Sequence, residues 1–227
     1  MFICHAELVS ASMPKKILRL AKKYKPVTII VMENIQFLIF FICIIAAYIV
    51  GSIPSGYILG RLIKGIDIRQ YGSGNIGASN VARILGMHYF LIVFFIDCCK
   101  AWATLALCAY MLPFHTPMIL YALAGALLVG NAYSVFLCFA GGKGVATVVG
   151  IIAFFYPWWI AVLFASGWLL LVFLTRKPFI ASLFVSVATT TIIVLSPLML
   201  HKPLSFILTT WIVWRHIPNI QKWLFKR

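Results

Sequence analysis

The grouping of apolar residues is what most constrains this chain. Apolar runs recur at Asn34–Leu59, Met87–Leu112, Pro117–Phe139, Val145–Tyr156, Trp158–Thr175, Phe179–Leu200 and Leu204–Trp214, and only Met87–Leu112 contains charged residues. About 20 apolar residues cross a bilayer as a helix, and shorter runs cross where the bilayer thins locally. Lipid offers no partners to an open backbone, so runs of this length are helices. The pattern predicts an all-α, polytopic membrane helical bundle of about seven transmembrane helices, or five or six if the last runs are re-entrant. With 63% of residues apolar and 10% charged, the chain is neither a soluble globular enzyme nor disordered.

Nineteen Lys and Arg stand against four acids, a net charge of +15. In so apolar a chain this imbalance reports membrane orientation, anionic lipid or a phosphorylated substrate, and not nucleic acid. If the first helix enters from outside, the inner loops carry Arg61, Lys64, Arg69, Arg83, Lys143, Arg176 and Lys177, and the tail adds Arg215, Lys222, Lys226 and Arg227. The outer turns, around His115, Pro157 and His201, carry only Lys202. The positive-inside rule then puts the N-terminus outside and the C-terminus in the cytoplasm. Residues 13–26, MPKKILRLAKKYKP, hold basic residues and no acid, yet this topology exports them. Residues 1–31 are therefore set apart as a basic N-terminal extension, and 32–227 form the membrane domain. The extension is either a membrane-surface helix or a product of start-site choice, with Met13 or Met32 as the true start. The cysteines show no paired spacing and read as small hydrophobes.

Three polar islands interrupt the apolar chain, and the topology puts all three on one side. Basic or glycine-rich islands gathered on one face fit a phosphate-handling site. The first runs from Gly51 to Gly86 and contains Gly72-Ser73-Gly74-Asn75-Ile76-Gly77. This formally matches G-x-G-x-x-G, but the dinucleotide motif needs a preceding strand in a parallel sheet, and here membrane helices flank it. Its glycines still let backbone N–H groups approach an anion, with Ser73, Asn75, Ser79 and Asn80 as further donors and Arg83 suited to a bidentate phosphate contact. A glycine-punctuated loop is the plain alternative. The second island, Gly141-Gly142-Lys143-Gly144, fails the Walker A spacing. A lysine among glycines at a helix N-terminus nonetheless makes a compact anion pocket, the alternative being an anchor lysine in a tight turn. In the third, Arg215-His216-Ile217-Pro218-Asn219-Ile220, helical continuation puts His216 and Asn219 on one face; otherwise it is an interfacial cap.

Asp97 and Lys100 lie three apart at membrane depth. Ionisable groups there are normally paired, so we expect an i,i+3 ion pair facing the bundle, or a site near the inner surface. A small-anion transporter would need charges along several helices. Polar residues collected at one interface favour an enzyme that draws a lipid-like substrate from the bilayer. No metal cluster or Ser-His-Asp triad is visible, and no cofactor is expected.

At GSIPSGY, DIRQYGSGNIGASNVARILG, the Asp97–Lys100 pair, FAGGKGVAT and RHxxNI the sequence resembles the bacterial membrane glycerol-3-phosphate acyltransferases that use acyl phosphate, the PlsY family. The resemblance implies a seven-helix bundle in the bacterial inner membrane with its active site at the cytoplasmic face. It implies acyl transfer from acyl phosphate to the 1-hydroxyl of sn-glycerol 3-phosphate, giving lysophosphatidate and phosphate. Ser73, Asn75 and Arg83 would line the site of both substrates. Lys143 would hold a phosphate, with Gly72, Gly74, Gly77, Asn80, Gly141, Gly142 and Gly144 as further phosphate-binding positions. His216 and Asn219 would seat the glycerophosphate, and an acyl-phosphate-forming enzyme is an expected partner. The chain departs from the usual pattern. Asn131 follows Gly130 where His is usual, Ser134 and Ala140 stand for Pro and Lys, and the tail reads HIPNI instead of HRENI with no later glutamate. A serine often found after the fifth helix has no unambiguous match near Phe179–Leu183. These departures motivate a third reading, an inactive relative kept as a membrane binding module.

Overall fold

The computed structural model describes residues 15–112, 116–197 and 199–225, with side chains from Asn34 onward. Residues 1–14 of the predicted basic extension, the outer-turn His115, and Lys226 and Arg227 of the tail lie outside the described residues. The described residues form nine α-helices: α1 Lys15–Ser52, α2 Ser55–Lys64, α3 Ala78–Leu85, α4 Met87–Met111, α5 Pro117–Ala132, α6 Val145–Phe155, α7 Trp158–Thr175, α8 Pro178–Leu195 and α9 Lys202–Leu224. Short 3-10 turns sit at Ile68–Gln70 and Val135–Leu137.

Proline and glycine set these boundaries. Pro117, Pro178 and Pro203 stand in the first turns of α5, α8 and α9, where the missing N–H has no intrahelical partner to lose. Gly65 ends α2 in the left-handed conformation at φ 67°. Pro54 breaks the first apolar run, which therefore continues as a separate helix α2 instead of running straight to Leu59.

The chain divides into two units, residues 1–42 and 43–227. The first is helical from Lys15, with Ile35, Phe37, Leu38 and Ile42 exposed. In the second, α4 packs on α3 and α6, α7 on α6 and α8, and α8 on α9. Its polarity is inverted. Leu91, Phe95, Leu170, Phe173, Phe184 and Leu195 face outward, whereas Ser182, Ser186, Thr189 and Ser205 are buried. Outward apolar side chains suit lipid, where helices associate through small residues and hydroxyl contacts. The Thr190 and Thr209 hydroxyls lie 2.7 Å apart between α8 and α9, and each also lies 3.1 Å from a carbonyl of the facing helix, so their two protons are shared among three acceptors. Close approach of α1 and α5 requires Gly130, because a Cβ there would lie 2.2 Å from the Tyr48 carbonyl oxygen.

Among the described residues five segments are long and apolar enough to cross a membrane: Asn34–Lys64, Met87–Met111, Pro117–Leu137, Trp158–Thr175 and Pro178–Leu195. The run Val145–Tyr156 forms an 11-residue helix, roughly 16 Å long at 1.5 Å per residue. That is about half a hydrocarbon core.

The charges at depth pair as expected. Lys100 Nζ lies 2.7 Å from Asp97 Oδ1, with side chains 7% and 9% exposed. The pair also spans the break between α1 and α2. Lys100 donates to the Ile53 carbonyl at 2.9 Å, and Asp97 accepts from Ser55 Oγ at 2.8 Å. One ion pair thus adds a charged donor to the Ile53 carbonyl at the break, beside the Ser55 amide, and tethers the first turn of α2.

Candidate active site

The loop between α2 and α3 is built on two local devices. Asp67 caps the Ile68–Gln70 turn by accepting from the Arg69 amide at 3.0 Å, and its other oxygen pairs with Arg69 Nη2 at 2.7 Å. The Arg69 guanidinium holds the carboxyl down to about 2, below the usual carboxylate range. Asn80, buried on α3, then gathers the glycine-rich turn. Its Oδ1 accepts from the Ser73 amide at 2.8 Å, and its Nδ2 donates to the Ile68 and Tyr71 carbonyls. Asn75 Oδ1 accepts from the Gly77 amide at 2.8 Å, an Asx turn that leads into α3. Ile68, Ile76 and Val81 bury beneath the loop. This leaves Ser73, Asn75, Gly77 and Arg83 on the wall of one cavity.

The segment Gly141–Gly144, before α6, brings Gly142, Lys143 and Gly144 to the same cavity. It lies so close to the end of α5 that a Cβ on Gly141 would come within 2.3 Å of the Asn131 carbonyl oxygen, and the Gly142 amide donates to that oxygen at 2.8 Å. Helix α9 holds its other carbonyls. Arg215 Nη2 donates to the Gly142 carbonyl at 2.8 Å, and Trp211 Nε1, one turn earlier, donates to the Lys143 carbonyl at 3.3 Å. In a planar trans peptide the N–H points opposite to the C=O. Tying those two carbonyls to α9 therefore turns the Lys143 and Gly144 amides away from it, at the N-terminus of a helix, where an anion is favoured. The guanidinium of Arg215 is itself seated over the Tyr133 ring at 5.2 Å.

Lys143 Nζ donates to Asn219 Oδ1 at 2.6 Å. Burial, with the positive charges of Arg215 and Arg83, brings its pKa down to about 8. These cations converge without a carboxylate of their own, and Asp97, on the cavity wall, is already bound to Lys100 and Ser55. His216 lies beyond the apolar part of α9, and its Nδ1 lies 2.7 Å from the Ile212 carbonyl. A carbonyl only accepts, so Nδ1 carries the proton. Burial lowers the imidazole to about 4, helped by Lys143 and Arg215 and opposed by the Ile212 bond. The ring is neutral at physiological pH, with Nε2 an acceptor.

The cavity has a volume of about 530 Å³. From the polar end it continues between α4 and α7 along Phe90, Leu91, Phe94, Val162, Ala165 and Leu169. Leu91, Val162 and Leu169 also face outward, so the cavity reaches the lipid-facing surface.

Of the residues named from sequence, Ser73, Asn75, Gly77, Asn80, Arg83, Gly142, Lys143, Gly144, His216 and Asn219 line this cavity. Gly72, Gly74 and Gly141 do not. Gly72 and Gly74 adopt φ of 60° and 71°, and a Cβ on Gly72 would meet Asn80 Oδ1 at 2.3 Å, so they shape the loop. Ser55, Asn131 and Ser182 also line the cavity, though sequence reading named none of them as a site residue, and it did not find the supporting roles of Trp211 and Arg215. Asn131 stood out there only as a departure from the usual His, and Ser182 lies in the stretch where no serine was matched. Ser182 is buried and bonded to Trp168 Nε1 at 2.9 Å. The trace left by Trp211 and Arg215 is an i,i+4 spacing that puts both on one face of a helix.

Arg215→Met is expected to lower kcat/KM for the reaction at this site by about ten- to a hundredfold, because it removes a charge-assisted bond of the 1.5–3 kcal/mol class. Trp211→Phe, which loses a longer neutral bond, is expected to cost less than about tenfold. Steady-state kinetics of both variants in detergent check the order, and the reverse order refutes the clamp.

A sequence profile described as glycerol-3-phosphate acyltransferase matches residues 41–226. The chain is 37% identical over 183 residues to a glycerol-3-phosphate acyltransferase of Bacillus velezensis, covering 79% of this chain and 91% of that protein. It is 36% identical over 184 residues to one of Lawsonia intracellularis, covering 80% and 90%. Among solved structures it is similar to PlsY (YgiH), an integral membrane glycerol 3-phosphate acyltransferase. The glycerol 3-phosphate form matches with TM-score 0.73 at 31% identity, covering 83% of this chain and 93% of that one. The lysophosphatidic acid form matches with TM-score 0.72 at 30% identity.

Proposed function

The chain belongs to the glycerol-3-phosphate acyltransferase family, and on that premise we propose that it acylates the 1-hydroxyl of sn-glycerol 3-phosphate with an acyl phosphate as donor. One observation carries the choice of donor. A single cavity joins a cationic, amide-rich end to an apolar channel that reaches the lipid surface between α4 and α7. A molecule with a fatty chain at one end and a phosphate at the other fits both halves at once.

In this reading Lys143, Arg83 and the Lys143 and Gly144 amides bind phosphate, Asn219 aims the ammonium, and Ser73 and Asn75 add donors. The hydroxyl oxygen attacks the acyl carbon, the new ester bond forms, and the bond to the phosphate oxygen breaks. The phosphate is already a good leaving group, so catalysis rests on positioning and on donors facing the developing oxyanion. His216 Nε2 accepts from the hydroxyl as glycerol 3-phosphate binds and seats it, a bond given up when the oxygen attacks. The proton itself passes to a substrate phosphate, whose second pKa near 6 exceeds the imidazole's value of about 4. A phosphate therefore holds the proton about a hundredfold better.

The seven-crossing topology, with the N-terminus outside and the C-terminus inside, remains our reading. In it the cavity opens at the cytoplasmic face of a bacterial inner membrane, where an enzyme that makes acyl phosphate delivers its product.

Purified protein given palmitoyl phosphate and labelled glycerol 3-phosphate is expected to form labelled lysophosphatidate with one equivalent of phosphate, and palmitoyl-CoA is expected to be a poor donor. No product refutes the activity, and equal turnover of the thioester refutes the donor. An essential enzyme base in the pH profile that His216→Ala abolishes without weaker substrate binding refutes the proton path.

A further inference from the structure

Four buried side-chain polar atoms lack a hydrogen-bond partner among the described residues: Ser52 Oγ, Asn131 Oδ1, Thr147 Oγ1 and Arg215 Nε. Asn131 alone among these four residues lines the cavity. It is 7% exposed, in the last turn of α5, and its carboxamide oxygen has no hydrogen-bond partner among the described residues. Its backbone carbonyl accepts from the Gly142 amide. Its Oδ1 lies 3.0 Å from where a Cβ on Gly142 would stand and 3.6 Å from one on Gly144, so the carboxamide lies along the segment that carries Lys143. A buried carboxamide oxygen left without a donor is costly, and native proteins seldom keep one without a reason.

The chemistry of the group narrows that reason. A phosphate dianion only accepts hydrogen bonds, and the cations and amides around Lys143 already suit it. A carboxamide presents one acceptor and one donor pair side by side. Its complement is a group that both donates and accepts, which is a hydroxyl. The acceptor substrate has two hydroxyls, and the reaction uses one. We propose that the Asn131 carboxamide is a specificity-determining group that binds the hydroxyl of glycerol 3-phosphate that is not acylated. This rests on the functional reading above. Ester formation leaves that hydroxyl unchanged, so the contact persists through the transition state and is read in kcat/KM. A site built to bond a hydroxyl discriminates strongly against an analogue that lacks it, because its own buried polar groups are then left unpaired.

The test compares glycerol 3-phosphate with 3-hydroxypropyl phosphate, the same molecule without the middle hydroxyl, using palmitoyl phosphate as donor. Wild-type protein is expected to favour glycerol 3-phosphate by at least about tenfold in kcat/KM. Asn131→Leu keeps the volume and removes the amide. It is expected to bring that ratio close to one while turning over the deoxy acceptor within about threefold of wild type. Asn131→Ser, which restores a donor and acceptor, is expected to recover part of the preference. A wild-type ratio near one overturns the proposal without any substitution, which covers the case of a variant that does not fold. An Asn131→Leu ratio equal to wild type overturns it too. Absence of turnover with both acceptors in the wild-type protein refutes the functional reading itself, an outcome distinct from equal use of the two.

Discussion

Lys143→Met is expected to lower kcat/KM for glycerol 3-phosphate by about a thousandfold or more. The substitution keeps an unbranched side chain and the surrounding glycines but removes the ammonium that Asn219 aims at 2.6 Å. Charge-assisted bonds to phosphate are about twice as strong as neutral ones, and removing a single donor that faces developing negative charge typically costs a hundred- to a thousandfold. The pH profile provides a second check. In the free protein Lys143 is a cation below about 8 and loses its charge above it. The kcat/KM profile should therefore fall about tenfold per pH unit on the alkaline side of 8, since this parameter reports groups of the free enzyme. Bound phosphate favours the ammonium, so kcat alone should fall only at higher pH. Lys143→Arg keeps its charge throughout that range and should remove the alkaline limb, at reduced activity, because a planar fork replaces a point charge. A methionine variant with near wild-type kcat/KM refutes the role of Lys143.

The second large effect is on stability. Lys100→Met leaves the buried Asp97 carboxyl without its cation and supported only by the Ser55 hydroxyl, and leaves the Ile53 carbonyl with the Ser55 amide as its one donor. Breaking one side of a buried pair costs about 3–5 kcal/mol. We expect a lower unfolding temperature in detergent, by more than about 6 °C on the size scaling for a chain of this length. Asp97→Asn combined with Lys100→Met should recover most of the loss, since the double variant has no isolated charge. A single variant as stable as wild type refutes the strut role of the pair. Recovery in the double variant separates a charge effect from simple loss of packing.

These two expectations also mark what is legible in the sequence. Lys143 and the Asp97–Lys100 pair stand out because a charge in an apolar stretch is rare and costly, so its position is informative. The same holds for the glycine-rich loop and the His216–Asn219 spacing, each of which breaks the hydropathy pattern. Ser182 and Asn131 do not break it. Each lies within an apolar run, and the fold alone brings them to the cavity. The break at Pro54 was hidden because hydropathy sums side chains and does not register the continuity of backbone hydrogen bonds. The short α6, by contrast, was legible, since the run Val145–Tyr156 is itself barely longer than the helix of 11 residues that it forms.

The clamp on the Gly142–Lys143 segment has a consequence for how the protein comes into being. Gly142 and Lys143 are held by Arg215 and Trp211, partners 73 and 68 positions later in the chain. The amides around Lys143 therefore cannot take up their final orientation when that segment leaves the ribosome. They acquire it only when α9, after three intervening helices, has formed and docked. On the proposed function, catalytic competence is thus a late event of biosynthesis, and a nascent chain cannot use its donor before α9 is in place.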